Sequence, residues 1–334
     1  MKVIKKGPSR ISDVAKRAGV SSATVSRVLS GKPHVSDAVR AQVEAAVAAL
    51  GYRPNRIARS LRVQRSRVIG LIVSDIQNPF FSRIVRGVED AVQPHGFAVF
   101  VCNTDENPER EGLYLELLLD EQVAGVILTP TVDDAALYRP FAEALPLVVL
   151  DREVTYLGVD TVVSNNTEAA RVVVARLIAA GHRRIGTILS DLNITTGNER
   201  FLGYQQALRD AGFPSDPALS RFGKPVEGEG HRFARELLEQ DHPPTALFSG
   251  SRLLTTGVLR YLWEVNMKIP GDLALASFDT LDWLPDMPEV LCVSQPAYEM
   301  GQRAAELLLK RMAEPERPTE RLELTSTLEL MGRP

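Results

Sequence analysis

Acidic, amide and basic side chains stand just past the ends of several apolar runs in this sequence. Asp75, Asn78 and Phe80 follow the run 68–73, Asp151 and Arg152 follow 147–150, Asp279 follows 273–278, and Arg200 lies near the start of a helical stretch. Read as parallel strands, such runs bring ligand-contacting groups together at their carboxyl ends. Asp75 and Asn78 offer oxygens to hydroxyls, and Phe80 with Phe81 offers an aromatic wall. The chemistry is non-covalent capture of a polyol by groups from two sheets. Arg152 and Arg200 extend it, because a guanidinium pairs with a carboxylate through two parallel hydrogen bonds, which admits a sugar acid. Plainer readings compete at two places: Phe81 as core, and Asp151 with Arg152 as a salt bridge holding a turn. Enzyme signatures are missing: there is no GxGxxG, phosphate-loop motif, GxSxG or HExxH, and His95, His182, His231 and His242 are scattered. We expect a protein that is not an enzyme, with no catalytic residues, metal or cofactor.

A different chemistry occupies the amino terminus. The net charge of −3 hides a division, since residues 1–67 hold 15 Lys or Arg against 3 Asp or Glu while the remainder holds 24 against 39. A basic end on an acidic body is expected where one part sits on nucleic-acid phosphates. Arg27 is the sharpest candidate, because its fork matches guanine O6 and N7, a contact worth roughly 1–3 kcal/mol of base discrimination. Ser22 and Ala23 precede it and are small, so direct reading there should be weak.

These residues need elements to position them. Ile11, Val14, Ala15 and Ala18 recur at helical spacing with Gly19 as a left-handed stop, and Ser21 caps a second helix with the stripe Val25, Val28 and Leu29. Ser36 caps a third, with Val39, Val43, Ala46, Val47 and Leu50 on one face and Gly51 beyond. Three short helices with a tight glycine turn read as a helix-turn-helix over residues 1–53, whose second helix presents Ser22, Ala23 and Arg27 to a major groove. Residues 54–67 read as a hinge and linker, in which Asn55 caps a basic helix too short to be stable without DNA.

From Val68 the pattern becomes α/β. Strands at 68–73, 97–102, 123–128 and 147–150 alternate with helices at 80–95 and 107–121; helices at 166–180, 198–211 and 253–265 then alternate with strands at 184–189, 245–249 and 273–278. Two parallel-sheet α/β units facing a cleft are implied over residues 68–334. A further strand is expected at 321–328. With 44% hydrophobic and 24% charged residues, the chain suits a soluble globular protein. Cys102 and Cys292 read as isolated core fillers outside any disulfide framework. The basic first ten residues lead into a polar helix rather than an apolar signal core, and no apolar run approaches roughly 18 residues. A cytoplasmic location without membrane contact is expected.

Residues 11–21 (ISDVAKRAGVS) and 24–29 (TVSRVL) resemble the head of the lactose and galactose repressor family. The resemblance continues through 52–55 (YRPN), 58–61 (ARSL), 75–81 (DIQNPFF), Asp151-Arg152, 198–204 (NERFLGY), 277–279 (SFD) and Gln295-Pro296, and so spans essentially the whole chain. It implies a transcriptional regulator, a repressor of sugar or sugar-acid utilisation genes, that binds a pseudo-palindromic double-stranded operator as a homodimer under allosteric control. The implied body is similar to periplasmic sugar-binding proteins, with crossovers near Val163, Ser294 and Leu324. Its amino-terminal subdomain would hold 68–163 plus 295–324, and its carboxyl-terminal one 164–294 plus 325–334. Thr24, Ser26, His34, Ser36, Arg40 and Asn55 carry over as phosphate or groove contacts, which position a protein without reading sequence. For Thr24 and Ser26 the alternative is plain solvated polarity.

With Ala58, Leu61 carries over as a minor-groove wedge that kinks DNA, the alternative being a cap on the body's apolar surface. Where the family has Asn and Asp after the strand ending near Ser249, this chain has Gly250-Ser251-Arg252, which leaves Ser251 or Arg252 to substitute. Trp283, close after Asp279, resembles regulators of ketogluconate and related sugar acids, or else it is a packing residue. A receptor that binds sugar without a DNA role would share residues 68–334 but gives no reason for Arg27 or Leu61, and a nucleobase is the other effector class. The sign of the response, inducer or co-repressor, is open. The chain ends soon after 321–328 without a leucine heptad tail, so a tetramer is not expected. Leu61→Ala should lose operator affinity in a gel-shift titration while the body melts unchanged; undiminished operator binding would refute the wedge.

Overall fold

The computed structural model describes residues 11–29, 35–52, 66–281 and 289–332. They fall into two units divided between Ser66 and Arg67. In the smaller, α1 (Ile11–Ala18), α2 (Ser22–Leu29) and α3 (Asp37–Leu50) close on Val14, Val25 and Val43, all fully buried. Gly19 and Gly51 take φ of +67° and +56°, which lets the chain leave α1 and α3 without a Cβ clash. Ser21 caps α2, its Oγ accepting from the Thr24 amide at 3.1 Å. Ser36 stands at the N-cap position of α3, but its hydroxyl makes no capping bond, contrary to the expectation. It is exposed, so water can serve the amides it leaves.

The larger unit holds two six-stranded sheets. The first runs β11 (Arg321–Leu324), β5 (Asp160–Ser164), β4 (Leu147–Leu150), β3 (Gly125–Leu128), β1 (Val68–Val73) and β2 (Ala98–Asn103), all parallel. The second runs β12 (Thr327–Met331), β10 (Val290–Ser294), β9 (Ala274–Phe278), β8 (Ala246–Ser249), β6 (Ile185–Ser190) and β7 (Ser220–Gly223), with β12 antiparallel. Central strands of each are buried along their length, as parallel sheets covered on both faces require. On the first sheet, α4 (Pro79–Val92) and α11 (Ala297–Ala313) bury Ile84, Val88, Met300 and Leu308 against Ile69 and Val148, while α5 (Pro108–Asp120) and α6 (Ala135–Ala144) bury Leu115, Leu118 and Tyr138 on the other face. On the second, α7 (Asn166–Ala179) and α8 (Thr195–Asp210) cover one face, α9 (Glu227–Leu238) and α10 (Arg252–Glu264) the other.

Among the described residues three helix pairs touch backbone to backbone, α7 and α8 being one, where a Cβ at Gly203 would stand 2.2 Å from the Thr167 carbonyl oxygen. A Cβ at Gly87 would stand 2.1 Å from the Tyr298 carbonyl oxygen and one at Gly301 2.3 Å from that of Ile84, so α4 can cross α11 this closely only through glycine. Gly230 and Gly257 repeat the device between α9 and α10. The chain passes between the lobes after β5, β10 and β11. These crossings are tied together: Ser164 Oγ donates to Gln295 Oε1 at 2.8 Å, the Asn165 amide to the Leu324 carbonyl at 3.1 Å, and the Ser326 amide to Asn165 Oδ1 at 2.8 Å.

Two further expectations change. The strand expected over 321–328 is two strands of different sheets, because Asn165 holds the chain at Leu324 and Ser326 where it leaves the first lobe. The helix expected from Asn198 starts at Thr195; Gly197 is not a break but lies in the first turn, where a Cβ would meet the Asp191 carbonyl at 2.6 Å. Cys102 and Cys292 are free thiols, the first half-buried and the second buried. Among the described residues no helix is long and apolar enough to cross a membrane. Gly87→Ala should destabilise the body by about 1–3 kcal/mol, the usual cost of extra atoms in a packed contact. A lower thermal midpoint is the readout, and an unchanged one would show that α4 and α11 separate freely.

Candidate effector cavity and nucleic-acid interface

A cavity of about 330 Å³ lies between the lobes at the carboxyl ends of the strands. Asp75, Asn78, Phe80, Asp151 and Arg152 line it from the first lobe, and Arg200, Ser251 and Asp279 from the second. These are all the described members of the expected effector set; Trp283 lies outside the described residues.

Local sequence explains each placement. After β1, Asp75 Oδ1 accepts from the Gln77 amide at 2.9 Å and Asn78 Oδ1 caps α4 through the Phe80 amide at 3.0 Å, with Pro79 at the first helical position. Each side chain therefore commits one lone pair to the turn, and its remaining hydrogen-bonding capacity is left for a ligand. Phe80 and Phe81 meet edge to face with centroids 5.0 Å apart. Phe81 serves both readings, since it is core and cavity wall together. Ser251 caps α10, accepting from the Leu254 amide at 3.3 Å. Arg252 does not line the cavity; its Nη1 turns to the Thr280 carbonyl at 3.0 Å.

Asp151 and Asp279 hold equivalent posts in the two lobes. Each follows a strand, takes a left-handed φ (70° and 71°) and donates its amide to the strand alongside, at Val162 and Val293, both at 2.8 Å. Burial raises the Asp151 pKa to about 6, against the pull of Arg152 and Arg200. Burial also raises that of Asp279, opposed by Arg200 and by Gln295 Nε2, which donates to Asp279 Oδ1 at 2.7 Å.

The arginines are engaged with protein. Arg152 spreads Nη1 and Nη2 over the Glu106 carboxylate and also donates Nη1 to the Pro130 carbonyl at 2.8 Å. Its Nε lies 3.8 Å from Asp151 and finds no hydrogen-bond partner among the described residues. Arg152 thus makes a salt bridge, chiefly with Glu106 rather than with its neighbour. Arg200 donates Nε to Asn166 Oδ1 at 2.9 Å and Nη1 to the Gly250 carbonyl at 2.6 Å, and its guanidinium lies 3.8 Å over the Phe278 ring.

Sequence reasoning missed Glu106, Gln295 and the segment Lys224, Pro225, Val226 and Glu227, all of which line the cavity. Gln295 carried a signal, standing next to an expected crossover. Glu106 sits three residues past its strand and gave none.

On the smaller unit, α2 exposes Ser22, Ala23 and Arg27 while Val25 and Val28 are buried, and Thr24 and Ser26 are half-buried. The Thr24 hydroxyl lies 2.9 Å from Ser21 Oγ, so it belongs to the cap as well. Ser36 and Arg40 share a helical stripe at the start of α3, spaced by one turn. His34, Asn55, Ala58 and Leu61, and with them most of the hinge, lie outside the described residues.

A three-helix head of this kind with a two-lobed body enclosing a polar cavity defines a ligand-responsive DNA-binding regulator. Residues 66–332 match the family described as periplasmic binding proteins and sugar binding domain of LacI family, and residues 10–55 match bacterial regulatory proteins, lacI family. The chain belongs to the LacI family of transcriptional regulators. It is 35% identical over 316 residues to the probable HTH-type transcriptional regulator EndR of Paenibacillus polymyxa, covering 93% of this chain and 92% of that one. It is 32% identical over 319 residues to the ribose operon repressor of Escherichia coli K12, covering 95% and 97%. The lac repressor dimer bound to operator and the anti-inducer ONPF superposes with a TM-score of 0.85 at 26% identity, covering 97% and 98%.

The Asp151 carboxyl has a testable signature. Its ordinary pKa of 3.8 applies to the unfolded chain and about 6 to the folded one, so the folded state binds the proton more tightly and loses stability as pH rises across that interval. Asp151→Asn should melt above wild type at pH values above about 6, with the gap closing as pH falls towards about 4. A gap independent of pH would show that folding leaves the Asp151 carboxyl at its ordinary pKa.

Proposed function

We propose that this regulator represses genes for the use of a small sugar or sugar derivative, and that a polyhydroxy effector in the cleft sets its affinity for a pseudo-palindromic operator. The observation that carries the reading is the pairing of Asp151 with Asp279, one from each lobe, with Arg200 near enough to feel both charges. A ligand bonded to both carboxylates favours one disposition of the lobes over another, and only such differential contact lets it shift an equilibrium. Asp75, Asn78, Phe80, Arg152 and Ser251 complete its surroundings. Closure about the three crossovers would then alter the spacing of two heads on DNA, each head reading through Arg27 with Ser22 and Ala23, held by contacts from Thr24, Ser26, Ser36 and Arg40. The ribose operon repressor and the operator-bound lac repressor dimer support this reading by their similarity.

The working unit we propose is a cytoplasmic homodimer without catalytic activity. Strand β2 is at a sheet edge and alternates: Val99 packs towards α4, so Phe100 turns towards the α5 side, where Leu113 and Leu117 are also exposed. An apolar patch beside an open edge suits a second copy of the same surface.

The test is a pair of titrations. Operator fragments taken from the DNA beside the gene are titrated by fluorescence anisotropy with and without a sugar that raises the melting temperature. Operator affinity should change by about 5–150-fold, and the sugar's affinity should change by the same factor when operator is bound. Equal affinities in both titrations would remove the allosteric claim.

A further inference from the structure

The cavity is lined by three cationic side chains, Arg152, Arg200 and Lys224, against six carboxylates: Asp75, Asp105, Glu106, Asp151, Glu227 and Asp279. A ligand carboxylate is best received by a guanidinium fork with two free donors. Arg152 has no such fork, because Glu106 receives both of its Nη atoms and both partners are largely buried, with side chains 7% and 18% exposed. The loop that brings Glu106 there is held in an unfavourable shape: Asp105 and Glu106 take successive φ values of +52° and +56°. Asp105 is in turn fixed by Arg110 and by Asn103 Nδ2 at 2.6 Å. Two left-handed non-glycine residues in a row persist only where surrounding contacts hold them, and here the Arg152 pairing acts together with the bond from the Glu106 amide to the Ser74 carbonyl at 3.2 Å. Arg200 is likewise divided between Asn166, Gly250 and Phe278. Lys224, which is exposed, is the remaining cation of the lining and offers a point charge rather than a fork. The wall about Asp75 is unfavourable to a further anion, since burial together with the charges of Asp105 and Glu106 raises its pKa.

We propose that Glu106 is a built-in anion occupying the place a ligand carboxylate would take, so that the cavity accepts a neutral polyhydroxy compound and rejects its acidic counterpart. The proposal rests on the effector reading above and narrows it from sugars and sugar acids to uncharged sugars. Glu106 becomes the specificity-determining residue.

Calorimetric titration of the full-length protein with matched ring compounds tests it: D-glucose with D-glucuronate, D-galactose with D-galacturonate, and D-ribose with ribose 5-phosphate. The neutral member of any pair that binds should do so at least tenfold more tightly than its acidic partner. Glu106→Gln, checked for folding by thermal melting, should reduce that ratio at least tenfold. An unchanged ratio in the folded variant overturns the role of Glu106. An acidic compound that binds wild type as tightly as its neutral partner overturns the proposal without any variant, and leaves the effector reading standing. If none of the compounds binds, the effector reading fails and this proposal with it.

Discussion

A guanidinium buried at the seam of two lobes must be neutralised from both sides. Arg200 is such a group: it feels Asp279 of its own lobe and Asp151 of the other, while Asn166, Gly250 and Phe278 fix its orientation. Burial in a low-dielectric setting makes each of those contacts stronger and each lost partner more costly. Gln295 extends the arrangement into the crossovers, since it donates to Asp279 and accepts from Ser164. The floor of the cavity and the connection between lobes are therefore one hydrogen-bonded assembly. Whatever displaces Arg200 or Asp279 acts on the crossing strands directly.

The first lobe supports its half of the cavity with a second buried network. Glu111 on α5 is fully buried and receives the Thr131 amide at 2.8 Å, the Thr131 hydroxyl at 3.1 Å and the Tyr138 hydroxyl. Burial raises its pKa, with those three donors and Arg152 acting in the opposite direction. Thr131 follows Pro130, whose carbonyl receives Arg152, so the turn after β3 is held from behind by Glu111 and from the front by Arg152. Such satisfied polar networks give the cavity wall a definite shape that apolar packing alone would not.

Much of this was legible from residue spacing. The central strand runs of the first lobe are contiguous and apolar because both faces are covered, and the side chains expected to form a site lie just beyond strand ends, where the parallel arrangement must deliver them. Several elements went unread, α11 among them; α6, β5, β7 and α9 carry polar residues or glycines that blur their periodicity, as in β5 (DTVVS) and the first turn of α9 (EGEG). The partners of the arginines were not legible either. Glu106 reaches Arg152 from 46 positions away and Gly250 reaches Arg200 from 50 away, so only the folded sheet order brings them together. Two arginines in a sequence suggest affinity for anions, whereas two arginines whose terminal nitrogens are already engaged by the protein do so far less.

The glycine crossings have a mechanical consequence. Where α4 lies against α11, and α9 against α10, main chain presses on main chain with no flexible side chain between to absorb a displacement. Each lobe then behaves as a stiff plate. A pull exerted at one edge of such a plate arrives at the opposite edge with little attenuation, and the described chain yields most readily where it changes plates.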